Sequence, residues 1–210
     1  MKHLALVLLL ILFVFASCKK KEIDFEFSGN VKAPVSGLNV ENAKVKFYTY
    51  SSGNNIESLK GSTKTDASGN YEIKIERSKF ETLVIKVSKD NYFTEERTFP
   101  IDNLTTAKTN EVSHSLSPKS WTRLFLKNNA PTEFDDELKI QKVSGKTDCE
   151  GCWPNANYIF KGSLDTVIYI PNDGGTTLSF YWWTKGSTVS DGLANIHTTP
   201  FDTVDYSIIY

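Results

Sequence analysis

Alternating apolar and polar residues predict short β-strands through most of the chain. In the first half, three stretches alternate with the period of two that places every second side chain on one face of a strand. The predicted core-facing positions are Ala43, Val45, Phe47 and Thr49 in NAKVKFYTY, Tyr71, Ile73 and Ile75 in NYEIKIE, and Leu83, Ile85 and Val87 in ETLVIKVSKDNYF. No stretch has the period of a helix longer than a turn or two, so the pattern favours a sandwich or a barrel.

A turn is predicted between the first two of these strands, at TDASGNY (65–71). The Asp66 carboxylate can accept hydrogen bonds from backbone amides just ahead of it, and Gly69 can adopt a positive φ.

The pattern restarts after Pro118, which interrupts strand pairing in SLSPKSW. WTRLFLKN alternates again, and further strands are predicted in SLDTVIYI, TTLSFYWWTK and FDTVDYSIIY, separated by PNDGGT and TKGSTVSDG. We therefore expect an all-β protein with two β-sandwich-like domains, at 25–117 and 118–210.

The first of these domains resembles the carboxypeptidase regulatory-like family over about Phe25 to Leu116. The matching features are SGNV at 28–31, NAKVKFY at 42–48, the TDASGNY turn, and VIKVSKDNYF at 84–93. Family members usually have a glycine where this chain has Asn91, and asparagine tolerates the same left-handed backbone. The resemblance implies a transthyretin-like sandwich of seven or so strands and a non-catalytic module.

The N-terminus has the layout of a secretory signal. Lys2 and His3 precede an unbroken apolar run at 4–15, which would rise only about 18 Å as a helix and is short for a membrane span. Phe15-Ala16-Ser17-Cys18 resembles the lipobox of bacterial lipoproteins, in which the cysteine is acylated and the signal is cut before it, although leucine is usual where Phe15 stands.

We accordingly predict a cleaved signal at 1–17, lipid attachment at Cys18, and a tether at 18–24. A residue other than Asp after the cysteine, here Lys19, usually indicates the outer membrane in such lipoproteins, with the face left open. The alternative is a plain secretory signal with an incidental cysteine.

Composition narrows the range of partners. The formal net charge of −1 argues against a nucleic-acid-binding surface, and aromatic residues make up 12% of the chain, which suits β-structure. The predicted partners are the membrane, through the N-terminal lipid, and another envelope protein or a glycan.

Cys149 and Cys152 in TDCEGCW have the spacing of a redox dithiol or of half a zinc site. No helix is predicted beside them, and the mature chain has only His114 and His197 as further ligands of that type. An oxidising compartment favours a local structural disulfide. Free thiols, a metal site and a thiol redox factor stay open as alternatives.

LSFYWWTK offers an aromatic strand face. Leu178, Phe180 and Trp182 are predicted to point one way, and Tyr181 and Trp183 the other. The second face is either a platform for sugar, peptide or another subunit, or is buried between two packed sheets.

Other polar motifs give weaker signals. EFDDELK, with Glu133, Asp135, Asp136 and Glu137, could hold Ca²⁺ but lacks the spacing of a calcium loop, so a solvated turn is favoured. No GxSxG motif surrounds a serine, so no catalytic residue, metal or cofactor is predicted.

Two Asp-Thr-Val triplets resemble an acceptor signal for O-linked glycans, at Thr166 and Thr203. Taken together, the sequence predicts a non-enzymatic, lipid-anchored accessory or scaffold protein of the cell envelope that docks to another outer-membrane component. A carbohydrate- or peptide-binding module using Tyr181 and Trp183 is the closest alternative.

Overall fold

The computed structural model describes residues 23–51, 54–129, 136–186 and 189–210. Within these residues the regular structure is β-strand throughout, apart from one 3-10 turn at Ile101–Asn103. The predicted all-β fold of two sandwich-like domains is confirmed.

Two sheets form the first domain. One has the order β4-β1-β7, with β8 continuing the same edge of β1 beyond β7, and the other has the order β3-β2-β5-β6. The strands are β1 (Asp24–Lys32), β2 (Lys44–Ser51), β3 (Asn54–Lys64), β4 (Asn70–Glu76), β5 (Thr82–Ser88), β6 (Glu95–Pro100), β7 (Asn110–Glu111) and β8 (His114–Ser115).

The first core lies between these two sheets. Phe27 and Phe47 meet across it with ring centroids 4.9 Å apart. Of the core-facing positions predicted in the three alternating stretches, all are buried except Ile73, which is partly buried and packs against the same core. Alternation therefore identified the inward faces of β2, β4 and β5.

Two sheets also form the second domain, with the orders β11-β10-β13-β14 and β12-β9-β15. The C-terminal strand β15 runs parallel to β9, whereas the other pairs in this domain are antiparallel. The strands are β9 (Lys119–Lys127), β10 (Glu137–Ser144), β11 (Asn157–Lys161), β12 (Asp165–Asp173), β13 (Thr177–Lys185), β14 (Asp191–His197) and β15 (Thr203–Ile209).

The second core is separate from the first and lies at 124–210. Leu124 and Leu126 of β9 are buried in it, as the alternation in WTRLFLKN predicts, and Phe180 of β13 meets Tyr206 edge-on at 5.6 Å. Each sandwich thus buries its own set of apolar side chains.

Three sequence expectations need correction. Asp24, predicted to end the tether, begins β1, because it pairs with Glu76 of β4. The EFDDELK segment is not wholly a loop, since Glu137 begins β10, and the predicted separator TKGSTVSDG extends into β14, which begins at Asp191.

The domains meet at the Asn91-Tyr92 corner. The Lys119 amide donates to the Asn91 carbonyl at 2.7 Å, and the Tyr92 ring contacts Phe201 edge-on at 5.2 Å. Asn91 has a φ of 64°, the left-handed conformation expected at this position. A short turn of the first domain is therefore tied directly to strands of the second.

Candidate functional site

The outer face of the sheet β11-β10-β13-β14 carries the predicted aromatic face. Strand β13 lies between β10 and β14, so its outward side chains occupy the middle of the sheet. Tyr181 pairs with Gln141 on one side and Leu193 on the other, and Trp183 pairs with Lys139 and Asp191.

The two aromatic side chains are open to solvent to different degrees. Tyr181 is 48% exposed and Trp183 is partly buried, while Leu178 and Phe180 point into the core. In the part of the chain that the structure describes, this face of β13 is therefore open to solvent at Tyr181 rather than fully buried between packed sheets.

Apolar neighbours extend this exposed area across the sheet. Leu193 of β14 is 50% exposed and Ile159 of β11 is 53% exposed, and Val143 lies at a bulge of β10. We call Tyr181, Trp183, Leu193, Ile159 and Val143 the aromatic patch. Because its members project from a pleated sheet, the patch is broad rather than groove-like.

A charged cluster interrupts the aromatic patch, because Lys139 lies between Trp183 and Ile159 in the strand register. The Glu137 carboxylate accepts an ion pair from Lys139 at 2.9 Å and a second from Lys161 at 3.6 Å. The hydrogen bond from Lys139, followed by the attraction of both ammonium groups, lowers the pKa of Glu137. This cluster stays ionised near neutral pH, and the uninterrupted apolar part of the patch is the register pair of Tyr181 and Leu193.

The opposite sheet, β12-β9-β15, has a different surface chemistry. Arg123 donates to both oxygens of Asp205, at 2.8 and 2.6 Å, and holds the pKa of that carboxyl low. Arg123 is on β9, the middle strand of this sheet, so the ion pair lies in the middle of the face. Tyr169 on the neighbouring strand β12 is also exposed.

The two predicted glycosylation sites differ in access. Thr203 is exposed at the start of β15, and its amide donates to Asp202 at 2.7 Å. Thr166 pairs with buried Leu126 and is partly buried. Only Thr203 presents its side chain fully to solvent.

The cysteines lie in the loop between β10 and β11. Cys149 and Cys152 are joined in a disulfide, with Cα atoms 5.1 Å apart. Beneath the loop, buried Lys142 donates to the carbonyls of Lys146 and Trp153, and burial lowers its pKa. The disulfide therefore closes a loop that covers a buried ammonium group.

Asp136 of the proposed calcium motif is only 2% exposed and accepts a hydrogen bond from Asn128 at 3.1 Å, so it is not part of a solvated turn. Glu133 and Asp135 lie outside the described residues. Across the part of the chain that the structure describes, no three His, Cys, Asp or Glu side chains are grouped to hold a metal ion.

Cys18 and the predicted signal at 1–17 also lie outside the described residues. Among those from Ile23 onward that are described, no helix is long and apolar enough to cross a membrane.

A cleft at the domain junction, which we call the lysine cleft, was not predicted from the sequence. Lys44, Lys64, Lys89 and Lys119 all contribute to its lining. The lysines at the strand ends were the one feature of the sequence that could have indicated this cleft. Strand β3, which ends at Lys64, was not predicted, and Lys119 reaches the cleft only through the contact between the domains.

Comparisons with known proteins assign no family. No family model matches the chain, and no curated protein matches it. The resemblance to the carboxypeptidase regulatory-like family therefore stays a prediction.

A comparison with solved structures gives distant matches to bacterial proteins. The Bacillus anthracis TIE protein is 12% identical with a TM-score of 0.38, over 89% of this chain and 34% of that one. The Streptococcal ancillary pilin is 8% identical with a TM-score of 0.35, over 90% of this chain and 63% of that one. The tip fimbrial protein Mfa3 from Porphyromonas gingivalis is 9% identical with a TM-score of 0.36, over 83% of this chain and 82% of that one.

The chain thus spans about a third of the length of the first of these proteins and under two thirds of the second. Identities and TM-scores this low assign neither a function nor a partner to the chain.

Proposed function

We propose that this chain is a lipid-anchored, non-enzymatic module of the outer membrane that docks another envelope protein through the aromatic patch. The supporting observation is the exposure of Tyr181, Leu193 and Ile159 on three strands of one sheet face. Tyr181 and Leu193 are direct register partners, and Lys139 and Gln141 of β10 stand between them and Ile159. Exposed apolar side chains gathered on one face are characteristic of contact surfaces.

The composition of the patch fits a protein partner. Tyrosine and tryptophan are enriched at the centres of protein interfaces, and a rim of charged groups is typical around them. Trp183 and Tyr181 would form such a centre, with Lys139 beside Trp183, and Glu137 with Lys161 would form part of such a rim.

The shape of the patch separates this function from sugar binding. A sugar site combines aromatic rings with converging polar groups in a concave surface. The aromatic patch instead follows adjacent strands of one sheet, with Gln141 and Leu193 as the direct neighbours of Tyr181. A broad apolar face of this type suits another protein surface better than a single sugar ring.

Site-specific photocrosslinking in intact cells tests the docking surface. A photoreactive amino acid at position 181 is expected to give a discrete adduct with one envelope protein, and the same amino acid at Tyr169, an exposed tyrosine on the opposite sheet, is not. Equal adducts from both positions would contradict the proposal.

A charge inserted into the patch provides a second test. Leu193→Glu is expected to abolish the adduct from position 181, because docking would bury an unpaired carboxylate. Ile209→Glu, on the other sheet and similarly exposed, serves as the matched control. If instead a glycan titration quenches tryptophan emission saturably and Trp183→Ala removes the effect, the patch is a sugar platform and not a docking surface.

The anchor is tested separately. Two or more acyl chains hold a protein stably to a bilayer, so Cys18→Ala is expected to release the protein into the soluble fraction. Retention of this variant in membranes after a salt wash would contradict lipid anchoring and leave the docking experiment unaffected.

A further inference from the structure

We propose that the lysine cleft binds the acidic groups of an oligosaccharide, at a site distinct from the aromatic patch. The cleft encloses about 680 Å³ at the junction of the two domains. This volume is in the range of small-molecule sites, which form preferentially between domains.

Four strands bring the lysines together. Lys44 begins β2, Lys64 ends β3, and Lys89 directly follows β5, so all three stand at one end of the first domain. Lys119 comes from β9 of the second domain. Its backbone N–H donates a hydrogen bond to the Asn91 carbonyl, which fixes the start of β9 beside the cleft.

Lysines outnumber acidic residues in the lining of the cleft. Within the described ranges of the chain, none of the four ammonium groups forms an ion pair, and Asp90 is the one acidic residue of the lining. Lys89 donates to the Glu41 carbonyl at 2.9 Å, and Lys119 lies over the Phe93 ring at 5.5 Å. Lys44 and Lys64 extend into solvent.

The register of β2 and β3 places two lysines of the cleft against each other, which destabilises the sheet. Lys44 lies directly opposite Lys64 in the antiparallel pair of β2 and β3. Like charges in this position destabilise a sheet. An anion between the two ammonium groups would convert this repulsion into attraction, so the register itself points to an acidic ligand.

The uncharged lining favours a sugar acid over a simple ion. Asn42, Ser88, Asn91 and Thr94 surround the lysines and offer amides and hydroxyls that can both donate and accept hydrogen bonds. Sugar hydroxyls can use both the donors and the acceptors of these groups, whereas an inorganic anion can only accept from them and leaves their acceptor oxygens unused.

The position of the cleft argues against a lipid headgroup. Strand β1 begins at Asp24, next to the proposed anchor, and its nine residues span about 30 Å to its other end. Val31 at that far end is hydrogen-bonded to Val40, two residues before Asn42 of the cleft. The cleft therefore lies about the length of β1 from the residue at which the lipid-anchored segment would join the domain, a step that rests on the proposed anchor.

Isothermal titration of the purified protein with a short oligogalacturonate and a heparin-derived oligosaccharide tests the inference. Saturable binding that weakens with added salt is expected for at least one of them, with no binding of a neutral oligoglucose of equal length. The double variant Lys44→Gln with Lys64→Gln is expected to weaken binding about tenfold or more. Lys74→Gln with Lys127→Gln removes the same charge elsewhere and is expected to leave the affinity within about twofold of the original protein.

Thermal melts verify that the variants are folded. Removing the facing lysines is expected to leave the melting temperature of the free protein unchanged or raised, while the acidic oligosaccharide should raise it only in the original protein and in the control variant. Three results would overturn the inference: equal weakening by both double variants, binding of inorganic sulfate or of phosphatidylglycerol vesicles without binding of either oligosaccharide, or tighter binding of single-stranded DNA than of the acidic sugars.

Discussion

At the residue scale, Gly69 and Gly37 separate two costs that a glycine substitution can carry. Both have a positive φ, 74° and 69°. A Cβ at Gly69 would lie 2.6 Å from the Val31 carbonyl oxygen, whereas a Cβ at Gly37 would meet nothing within 4 Å. The Asp66 carboxylate fixes the Gly69 turn by accepting from the Ser68 and Asn70 amides, both at 2.8 Å.

We therefore expect Gly37→Ala to lower the free energy of unfolding by about 1 kcal/mol, the cost of a left-handed backbone with a side chain. Gly69→Ala should lower it by at least about 1 kcal/mol more, because the carbonyl of Val31 must also move. Urea unfolding of both variants measures the difference. Equal losses would mean that the turn yields to the new methyl group without cost.

A second feature at this scale is the pair formed by Glu95 of β6 and His114 of β8, which ties the two sheets of the first domain together. His114 has a fully buried side chain, and its Nδ1 pairs with Glu95 Oε2. Burial of the Glu95 carboxyl is the largest single influence on its pKa and raises it. The hydrogen bond and charge of His114, with those of Arg97, together outweigh burial and leave the pKa lowered.

A lowered pKa in the folded state means that the pair stabilises the fold above the ordinary carboxyl pKa of 4.5 and that this stability is lost as pH falls below it. Glu95→Gln should therefore be less stable near neutral pH, and its free energy of unfolding should fall less steeply between about pH 5 and pH 3. Glu26→Gln is the control, since Glu26 pairs with Lys74 in solvent. Parallel curves for the original protein and Glu95→Gln would contradict the role of the pair.

At the scale of elements, alternation predicted strands in which successive inward positions are apolar and no inward position carries a charge. Strands β2, β4, β5, β9 and β13 fall into this group, and a period-two pattern needs no tertiary information. The Gly69 turn was predictable for a related reason, because Asp66 and Gly69 act through bonds and dihedrals within a few residues.

Strands whose pattern depends on neighbours were missed. In β10, the inward row is Leu138, Ile140 and Lys142, so a lysine breaks the apolar alternation. Its charge is accommodated by carbonyls of the loop ahead, a contact that no local pattern encodes. Strand β3 reads as polar because its described side chains are largely exposed, and it exists as a strand through pairing with β2.

The disulfide loop yields a prediction at this scale. The bridge spans a sequence separation of three residues, and in the chain-entropy model a loop this short contributes about 2 kcal/mol or less. Cys149→Ser with Cys152→Ser is expected to lower the free energy of unfolding by no more than this amount. Reductant should have the same effect on the original protein and none on the variant. Alkylation of either sulfur in the untreated protein would contradict the bridge and restore the redox alternative.

At the scale of the whole molecule, the candidate sites divide by how they are built. The outward position of Tyr181 and Trp183 followed from one strand, so the sequence was sufficient to propose it. The lysine cleft draws on β2, β3 and the start of β9, and its assembly depends on the corner where the domains meet. Residues brought together from two domains leave no local pattern to detect.

That corner also determines whether the two domains unfold independently. All four tryptophans, at 121, 153, 182 and 183, lie in the second domain, so their fluorescence reports on that domain alone. Tyr92 belongs to the first domain and contacts Phe201 of the second. If the contact couples the domains, Tyr92→Ala should shift the tryptophan-detected urea transition to lower concentration.

An aromatic pair in this geometry contributes about 0.5 to 1.5 kcal/mol beyond its buried area, which sets the coupling expected in a double-mutant cycle with Phe201→Ala. Phe201 also has a φ of 67°, so Phe201→Gly should recover about 1 kcal/mol relative to Phe201→Ala by relieving the backbone. Tyr50→Ala, which removes a first-domain tyrosine bonded to Glu57 far along β2, is the control and should leave the tryptophan transition in place. If Tyr50→Ala shifts the tryptophan-detected transition as much as Tyr92→Ala does, the whole chain unfolds as one unit and the corner has no special role. If neither variant shifts the transition, the two sandwiches are thermodynamically independent.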